Sequence, residues 1–168
     1  MIWNDANGSA FVLSSLAQLN GRPITVEDCD VIYSRAKWHH WSGGRVFNMR
    51  GEGTGAAGAN VVFRNINIED PRPTLQQFFL CMAVPPPYSN KTNQRGSGDL
   101  AGIYFQNISI AAPSVLGEPQ ILRGLSNARI QNLTLERLSI AGAPVTNADF
   151  FQTNEFVEGL IFKPGEAR

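Results

Sequence analysis

A short strand-like segment returns four times along the chain, and this repeat restricts the fold more than any other feature. The copies occupy residues 25–31, 62–68, 104–110 and 134–140. In all four, the last six residues follow the pattern apolar, any, polar, apolar, polar, apolar. The first polar position is Asn or Asp in three copies and Arg137 in the fourth. Such alternation is typical of strands that bury one set of side chains and expose the other.

The spacing of the copies predicts a stack of similar units. Measured from the first apolar residue of the pattern, the intervals are 37, 42 and 30 residues. Repeats of this length are characteristic of solenoids, and unequal intervals indicate loops of different length. Asn and Asp favour turns and tolerate left-handed backbone. Because these residues recur at the same position of successive repeats, they predict a bend of the chain between two sheets. Their side chains are expected to form hydrogen bonds from one repeat to the next.

The predicted fold is therefore all-β, a parallel β-helix of about four to five coils. Residues 1–168 are expected to form a single domain. No apolar stripe with helical spacing is sustained anywhere in the sequence. Gly, Pro and polar residues predict loops at 34–44, 51–58, 85–98 and 111–124.

Composition excludes several classes of function. The 14 basic and 14 acidic residues cancel, and only 17% of positions are charged, so a basic stripe for nucleic acid is absent. No window reaches the roughly 18 apolar residues of a membrane helix. The first residues lack the basic and apolar regions of a signal peptide. Cys29 and Cys81 are too few for a disulfide scaffold and lack the spacing of a zinc site.

Several segments together resemble one family of polysaccharide-degrading enzymes. They are residues 2–8, 24–32, 65–73, and 140–146 with 154–157. This set is similar to the C-terminal region of dextranase and isopullulanase-type glycoside hydrolases, family 49, within the pectin-lyase-like superfamily. The resemblance implies a right-handed parallel β-helix, here an N-terminally truncated fragment. It also implies an extracellular or periplasmic parent protein that hydrolyses an α-glucan such as dextran, with pectic polymers as the second choice.

The resemblance further implies inverting hydrolysis by aspartates, without a metal or cofactor. The family's catalytic Asn-Asp-Asp motif is absent here. Asn4-Asp5 is similar to a second Asn-Asp of the family, which lies one coil after that motif and is not the catalytic pair. An inverting enzyme needs two carboxyl groups roughly 6.5–9.5 Å apart. Asp5 is the candidate catalytic carboxylate, although a turn residue is the alternative interpretation. Asp30, Glu52 and Asp70 are candidates for the second carboxylate because they lie near strand ends or loops, but none is convincing.

An aromatic segment supplies the candidate substrate-binding residues. Tryptophan rings stack on sugars, while imidazole, guanidinium and carboxylate groups bond to hydroxyls; the alternative is a loop whose tryptophans cover apolar surface. Adjacent histidines in extended chain point apart, so a metal site is not expected. The candidates are Trp38, His39, His40, Trp41, Arg45, Arg50 and Glu52.

The sequence thus predicts part of a polysaccharide-degrading glycoside hydrolase that lacks the catalytic aspartate pair. The alternative is a non-catalytic β-helix that binds carbohydrate or has a structural role. A polysaccharide or oligosaccharide is the expected partner. Homo-oligomers are a further hypothesis, because the first coil exposes a strand edge.

Overall fold

A computed structural model of the chain describes residues 1–4, 10–13, 23–36, 46–50, 58–69, 71–73, 80–83, 99–111, 120–124, 126 and 129–165. These residues form thirteen strands and one short 3-10 helix, Ala148–Phe150. In chain order the strands are β1 (Ile2–Asn4), β2 (Phe11–Leu13), β3 (Ile24–Ala36), β4 (Phe47–Arg50), β5 (Gly58–Ile68), β6 (Pro71–Pro73), β7 (Leu80–Ala83), β8 (Leu100–Ile110), β9 (Gln120–Arg123), β10 (Ile130–Ile140), β11 (Ala143–Pro144), β12 (Phe151–Gln152) and β13 (Val157–Lys163).

The strands form two sheets in which nearly all neighbours are parallel. The larger sheet has the order β1-β3-β5-β8-β10, with β13 parallel to the first part of β10 and β11 antiparallel to its end. Strand β6 pairs with the end of β3. The smaller sheet has the order β12-β9-β7-β4-β2. Successive strands of one sheet therefore come from segments separated by crossover connections, as parallel pairing requires.

The four predicted repeats lie side by side in the larger sheet. Glu27 of β3 is the partner of Arg64 in β5, which is followed by Gln106 in β8, Glu136 in β10 and Lys163 in β13. We call such a set of in-register residues across these strands a column. Because side chains alternate between the two faces of a strand, columns also alternate between the interior and the outer surface.

Aromatic rings fill the interior between the two sheets. Phe63 and Phe105 belong to one interior column and stack with their centroids 5.0 Å apart. Phe47 of the smaller sheet packs edge-on against both rings, at 4.9 and 5.1 Å, and Phe11 stacks on Phe47 at 5.1 Å. All but Phe11 are fully buried. Such pairs contribute about 0.5–1.5 kcal/mol beyond the burial of their area.

A ladder of polar residues marks the bend in the long strands. Asp28, Asn65, Asn107 and Arg137 form one column, and each has a positive φ, between 52° and 55° for all four. The Asn65 amide donates to the Asp28 carboxylate at 2.8 Å, and the Asn107 amide donates to the Asn65 carbonyl at 2.9 Å. The predicted left-handed backbone and the bonding between repeats are therefore observed for Asp28, Asn65 and Asn107. The predicted change from one sheet to another is wrong, because the residues on both sides of this column pair within the larger sheet.

A second column of left-handed residues lies nearer the start of the strands. It consists of Gly102, Asn132 and Gly159, with φ values of 69°, 55° and 68°. A Cβ atom at Gly159 would lie 2.8 Å from the side-chain oxygen of Asn132, so glycine is required there for two reasons. In β8 and β10 the two left-handed positions delimit a short segment of each strand between them.

The predicted all-β class and parallel sheet are confirmed. Two of the predicted loop boundaries are wrong, because β9 lies within residues 111–124 and β3 continues through Ala36 into the segment 34–44. The short strands of the smaller sheet lack the alternation from which the long strands were predicted. Within the described part of the chain, no helix is long and apolar enough to cross a membrane.

Candidate functional site

Most of the residues that the sequence nominated lie outside the part of the chain that the structure describes. This applies to Asp5, Trp38, His39, His40, Trp41, Arg45 and Glu52, and also to Asp70. Arg50 is the last residue of β4, where its backbone pairs with Ala83, and only its backbone position is described. Asp30, a candidate for the second carboxylate, is described and exposed in β3, in register with Asn67. The other nominations stay predictions, and the site below is built mainly from residues that the sequence did not nominate.

A polar surface with many side-chain contacts lies on the long strands, just before the ladder column. Two columns point outward here, and we call this surface the front face. One column combines apolar and hydroxyl-bearing side chains, and the other is polar. The first consists of Thr25, Val62, Tyr104, Thr134 and Ile161, and the second of Glu27, Arg64, Gln106, Glu136 and Lys163.

Tyr104 is the aromatic centre of the front face. Its hydroxyl donates to the Glu136 carboxylate, which also accepts a bond from the Gln106 amide at 2.9 Å. The Lys163 ammonium lies over the Tyr104 ring, 5.8 Å from its centroid. Residues from three neighbouring strands thus fix the orientation of one ring. An aromatic side chain oriented in this way is suited to stacking against a flat apolar surface while polar groups beside it form hydrogen bonds.

The same contacts hold Glu136 in its charged form. Its pKa is lowered, first because the Gln106 amide and the Tyr104 hydroxyl donate to the carboxylate, and further because Arg137 and Lys163 are nearby. The Arg137 guanidinium lies 3.3 Å from Glu136. The pKa of Tyr104 is raised, mainly because its proton is bonded to Glu136. Glu136 is therefore a hydrogen-bond acceptor at neutral pH, which does not suit it to act as a general acid.

The other charges close to the front face are also paired. Arg64 forms an ion pair with Glu27, and both side chains are nearly half exposed. Arg129, just before β10, pairs with Glu158 of β13. Each described cation here has a carboxylate or an aromatic ring beside it. The surface thus offers many donors and acceptors without a strong field of one sign.

A second polar surface follows the ladder on the same strands. Its outward column contains Asp30, Asn67 and Ser109 in register. The Ser109 hydroxyl donates to the Asn67 carbonyl at 2.8 Å, and the Asn67 amide donates to Glu69 at 3.4 Å. Strand geometry puts the backbones of Asp30 and Glu69, diagonal neighbours on adjacent strands, about 8 Å apart. We call this surface the back face.

The separation of carboxylates differs between the two faces. On the front face, Glu27 and Glu136 are three strand spacings apart, or about 14 Å, which exceeds the roughly 6.5–9.5 Å of an inverting pair. On the back face, the backbones of Asp30 and Glu69 are closer, about 8 Å apart. Among the described residues, no group of three or more His, Cys, Asp or Glu side chains is arranged to hold a metal ion.

Sequence patterns did not single out the Tyr104 cluster. Tyr104, Glu136 and Lys163 are separated by about thirty residues at each step, and only the register of three strands brings them together. Aligning the four repeats predicts one contact of the cluster, between Gln106 and Glu136, because both residues occupy the same position in their repeats. Lys163 follows a fifth strand that does not share the full pattern.

Comparisons with known proteins do not place the chain in a family. Neither the protein-family profiles nor the curated proteins nor the solved structures contain a match to it.

Proposed function

We propose that this protein is a polysaccharide-binding part of a right-handed parallel β-helix related to glycoside hydrolases, and that its front face holds the glycan. The observation that carries the proposal is the Tyr104 ring, held by Glu136, Gln106 and Lys163 on an outward face of a parallel sheet. Sugar rings have apolar faces that stack on aromatic side chains and hydroxyl edges that bond to amides and carboxylates. The cluster provides both kinds of group within one short stretch of surface.

The architecture is part of the proposal. In-register parallel strands, two sheets around a common interior, and a left-handed polar ladder are the features expected of stacked coils. A polysaccharide ligand also accords with an extracellular or periplasmic location of the parent protein. Dextran or another α-glucan is the first ligand to test, and pectic polymers are the second.

Retardation in native gels that contain a polymer tests the binding function. The panel is dextran, pullulan, polygalacturonate and arabinan, and the proteins are the wild type, Tyr104→Ala and a back-face control, Ser109→Ala. We expect at least one polymer to retard the wild type and the control, and to retard Tyr104→Ala much less. A wild type that every polymer leaves unretarded contradicts the proposal, as does equal retardation of Tyr104→Ala.

Hydrolysis is the second candidate function, and the diagonal placement of Asp30 and Glu69 favours it. Backbones about 8 Å apart allow their carboxyl groups to reach the separation of an inverting pair, in which one protonates the leaving group and the other activates water. Release of reducing sugar from the same four polymers is the test. We expect Asp30→Asn and Glu69→Gln each to abolish any release that the wild type gives. If the wild type releases no sugar while it binds a polymer, the protein is a binding module.

A further inference from the structure

We infer that Asn132 is an acceptor for an N-linked oligosaccharide and that Asn107, which begins the same kind of acceptor triplet, is not. The triplet is Asn, any residue except Pro, and then Ser or Thr. Residues 132–134 of β10 read Asn-Leu-Thr, and residues 107–109 of β8 read Asn-Ile-Ser. The inference does not depend on whether the front face binds a polysaccharide.

The space around the two asparagines differs between the two left-handed columns. Asn132 has a glycine on each side, Gly102 on β8 and Gly159 on β13. Neither neighbour has a side chain, so the strands beside Asn132 leave room for a bulky group on its nitrogen. Asn107 lies instead between the side chains of Asn65 and Arg137. A sugar ring on Asn107 would have to displace one of them.

The two asparagines also differ in their hydrogen bonds. The Asn107 amide donates to the Asn65 carbonyl at 2.9 Å and so belongs to the ladder. Within the described part of the chain, no hydrogen bond involves the side chain of Asn132. A sugar on the Asn107 nitrogen would replace one of its hydrogens and fill the space beside the Asn65 oxygen, whereas at Asn132 no bond is broken.

The surface at Asn132 is exposed and polar. Asn132 has a φ of 55°, and its side chain is exposed. Beside it, the Gln131 amide donates to the Glu158 carboxylate at 3.4 Å. Thr134, the third residue of the triplet, is partly exposed. A hydrated oligosaccharide on Asn132 would therefore border polar groups, and the fold would not have to bury any part of it.

The modification exchanges one covalent bond for another. The side-chain nitrogen of Asn132 attacks C1 of the first sugar of a polyprenyl-diphosphate-linked oligosaccharide. The bond from C1 to this nitrogen forms as the bond from C1 to the phosphate oxygen breaks, and the polyprenyl diphosphate leaves. One amide proton passes to a base of the transferase. The protein itself supplies only the acceptor amide and the hydroxyl-bearing residue two positions later.

Expression of the full chain behind a cleavable secretory leader in a eukaryotic host tests the inference. Oligosaccharide transfer precedes folding, so glycosylated chains that cannot fold are retained in the cell, while those that fold are secreted. Both fractions are treated with peptide N-glycosidase, which converts a glycosylated Asn to Asp, and peptide mass mapping gives the occupancy of each triplet. Residues 7–9 and 90–92 also match the motif, lie outside the described residues, and are mapped separately.

The distribution between the two fractions is the decisive result. We expect the occupancy of Asn132 to be equal in both fractions to within about twofold, and Asn107 to be at least about fivefold less occupied than Asn132 in the secreted protein. An Asn132 that is unoccupied in both fractions, or occupied only in retained chains, would overturn the inference. Equal occupancy of the two asparagines in the secreted protein would overturn the distinction between them.

Matched variants assign the glycan to its triplet. Asn132→Gly removes the acceptor and leaves the residue that both neighbouring strands have at this position, so we expect loss of one glycan with secretion unchanged. Thr134→Ala should lose the same glycan and Thr134→Ser should keep it, because serine preserves the motif. Ser109→Ala should leave the number of glycans unchanged. Loss of a glycan in Ser109→Ala but not in Thr134→Ala would mean that Asn107 is the acceptor and would overturn the inference.

Discussion

The interior and outer columns of the same strands follow opposite rules. Inside, one column carries Phe63, Phe105, Leu135 and Phe162, so similar side chains repeat from strand to strand. Outside, the next column carries four kinds of polar side chain on five strands, from Glu27 to Lys163, and only glutamate occurs twice. Close packing favours large apolar groups in the interior, where Phe63 and Phe105 stack on each other. Outward side chains do not pack in this way, so they differ from strand to strand. These differing side chains are the ones available to recognise a ligand.

The largest expected effect comes from breaking the interior column. Phe105→Ala removes a fully buried ring that stacks on Phe63 and contacts Phe47, and we expect the free energy of unfolding to fall by about 3–5 kcal/mol. Chemical denaturation measures this change. Phe105→Leu is the matched control, because leucine already occupies the equivalent position at Leu135, and it should cost less than half as much. Equal losses for the two variants would contradict the expectation that the apolar volume of leucine replaces most of the contribution of the ring.

The polar ladder is expected to contribute somewhat less. Asn65→Ala removes the bonds to Asp28 and Asn107 and places alanine in left-handed backbone, so we expect a loss of about 2–3 kcal/mol. Asn65→Gly removes the same bonds without the backbone strain, so it should recover roughly 1 kcal/mol of that loss. Urea denaturation of both variants separates the two contributions. A loss below about 0.5 kcal/mol for the alanine variant would show that the ladder is not stabilising.

Arg137 offers a way to extend the ladder. An arginine at φ 52° is strained, and its ion pair with Glu136 is exposed enough to contribute little. In Arg137→Asn, the new amide is positioned to donate to Asn107, as Asn107 donates to Asn65. We expect stabilisation of about 0.5–1 kcal/mol, seen as a higher melting temperature. A decrease in melting temperature would mean that the arginine side chain contributes more than its geometry indicates.

The smallest stability effect is expected on the front face, and it depends on pH. The folded-state pKa of Glu136 is lowered, so the carboxylate stabilises the fold above its ordinary pKa. This contribution is lost as the pH falls through the folded-state value. Glu136→Gln should therefore be less stable than the wild type at neutral pH, by under about 1 kcal/mol. The difference should shrink in acid. Thermal unfolding at several pH values checks this, and a difference that grows in acid would contradict it.

The sequence predicts those parts of the molecule in which side chains of the same type recur at the same position of each repeat. The repeated polar residue at Asp28, Asn65 and Asn107 revealed the left-handed backbone because three copies could be aligned. The smaller sheet could not be predicted in this way, since β2, β4 and β9 are only three or four residues long and show no alternation. The Tyr104 cluster also depends on register, which sets diagonal contacts between strands that a linear pattern does not contain.

The most direct test of the division between interior and outer columns is to measure dextran affinity and unfolding free energy for the wild type, Tyr104→Phe and Tyr104→Ala. The account predicts that Tyr104→Phe binds within about threefold of the wild type, because the ring remains. Tyr104→Ala should bind at least about tenfold more weakly, while it loses less than about 1 kcal/mol of stability. Equal affinity of all three proteins, or a loss of affinity that follows a loss of several kcal/mol in stability, would contradict it.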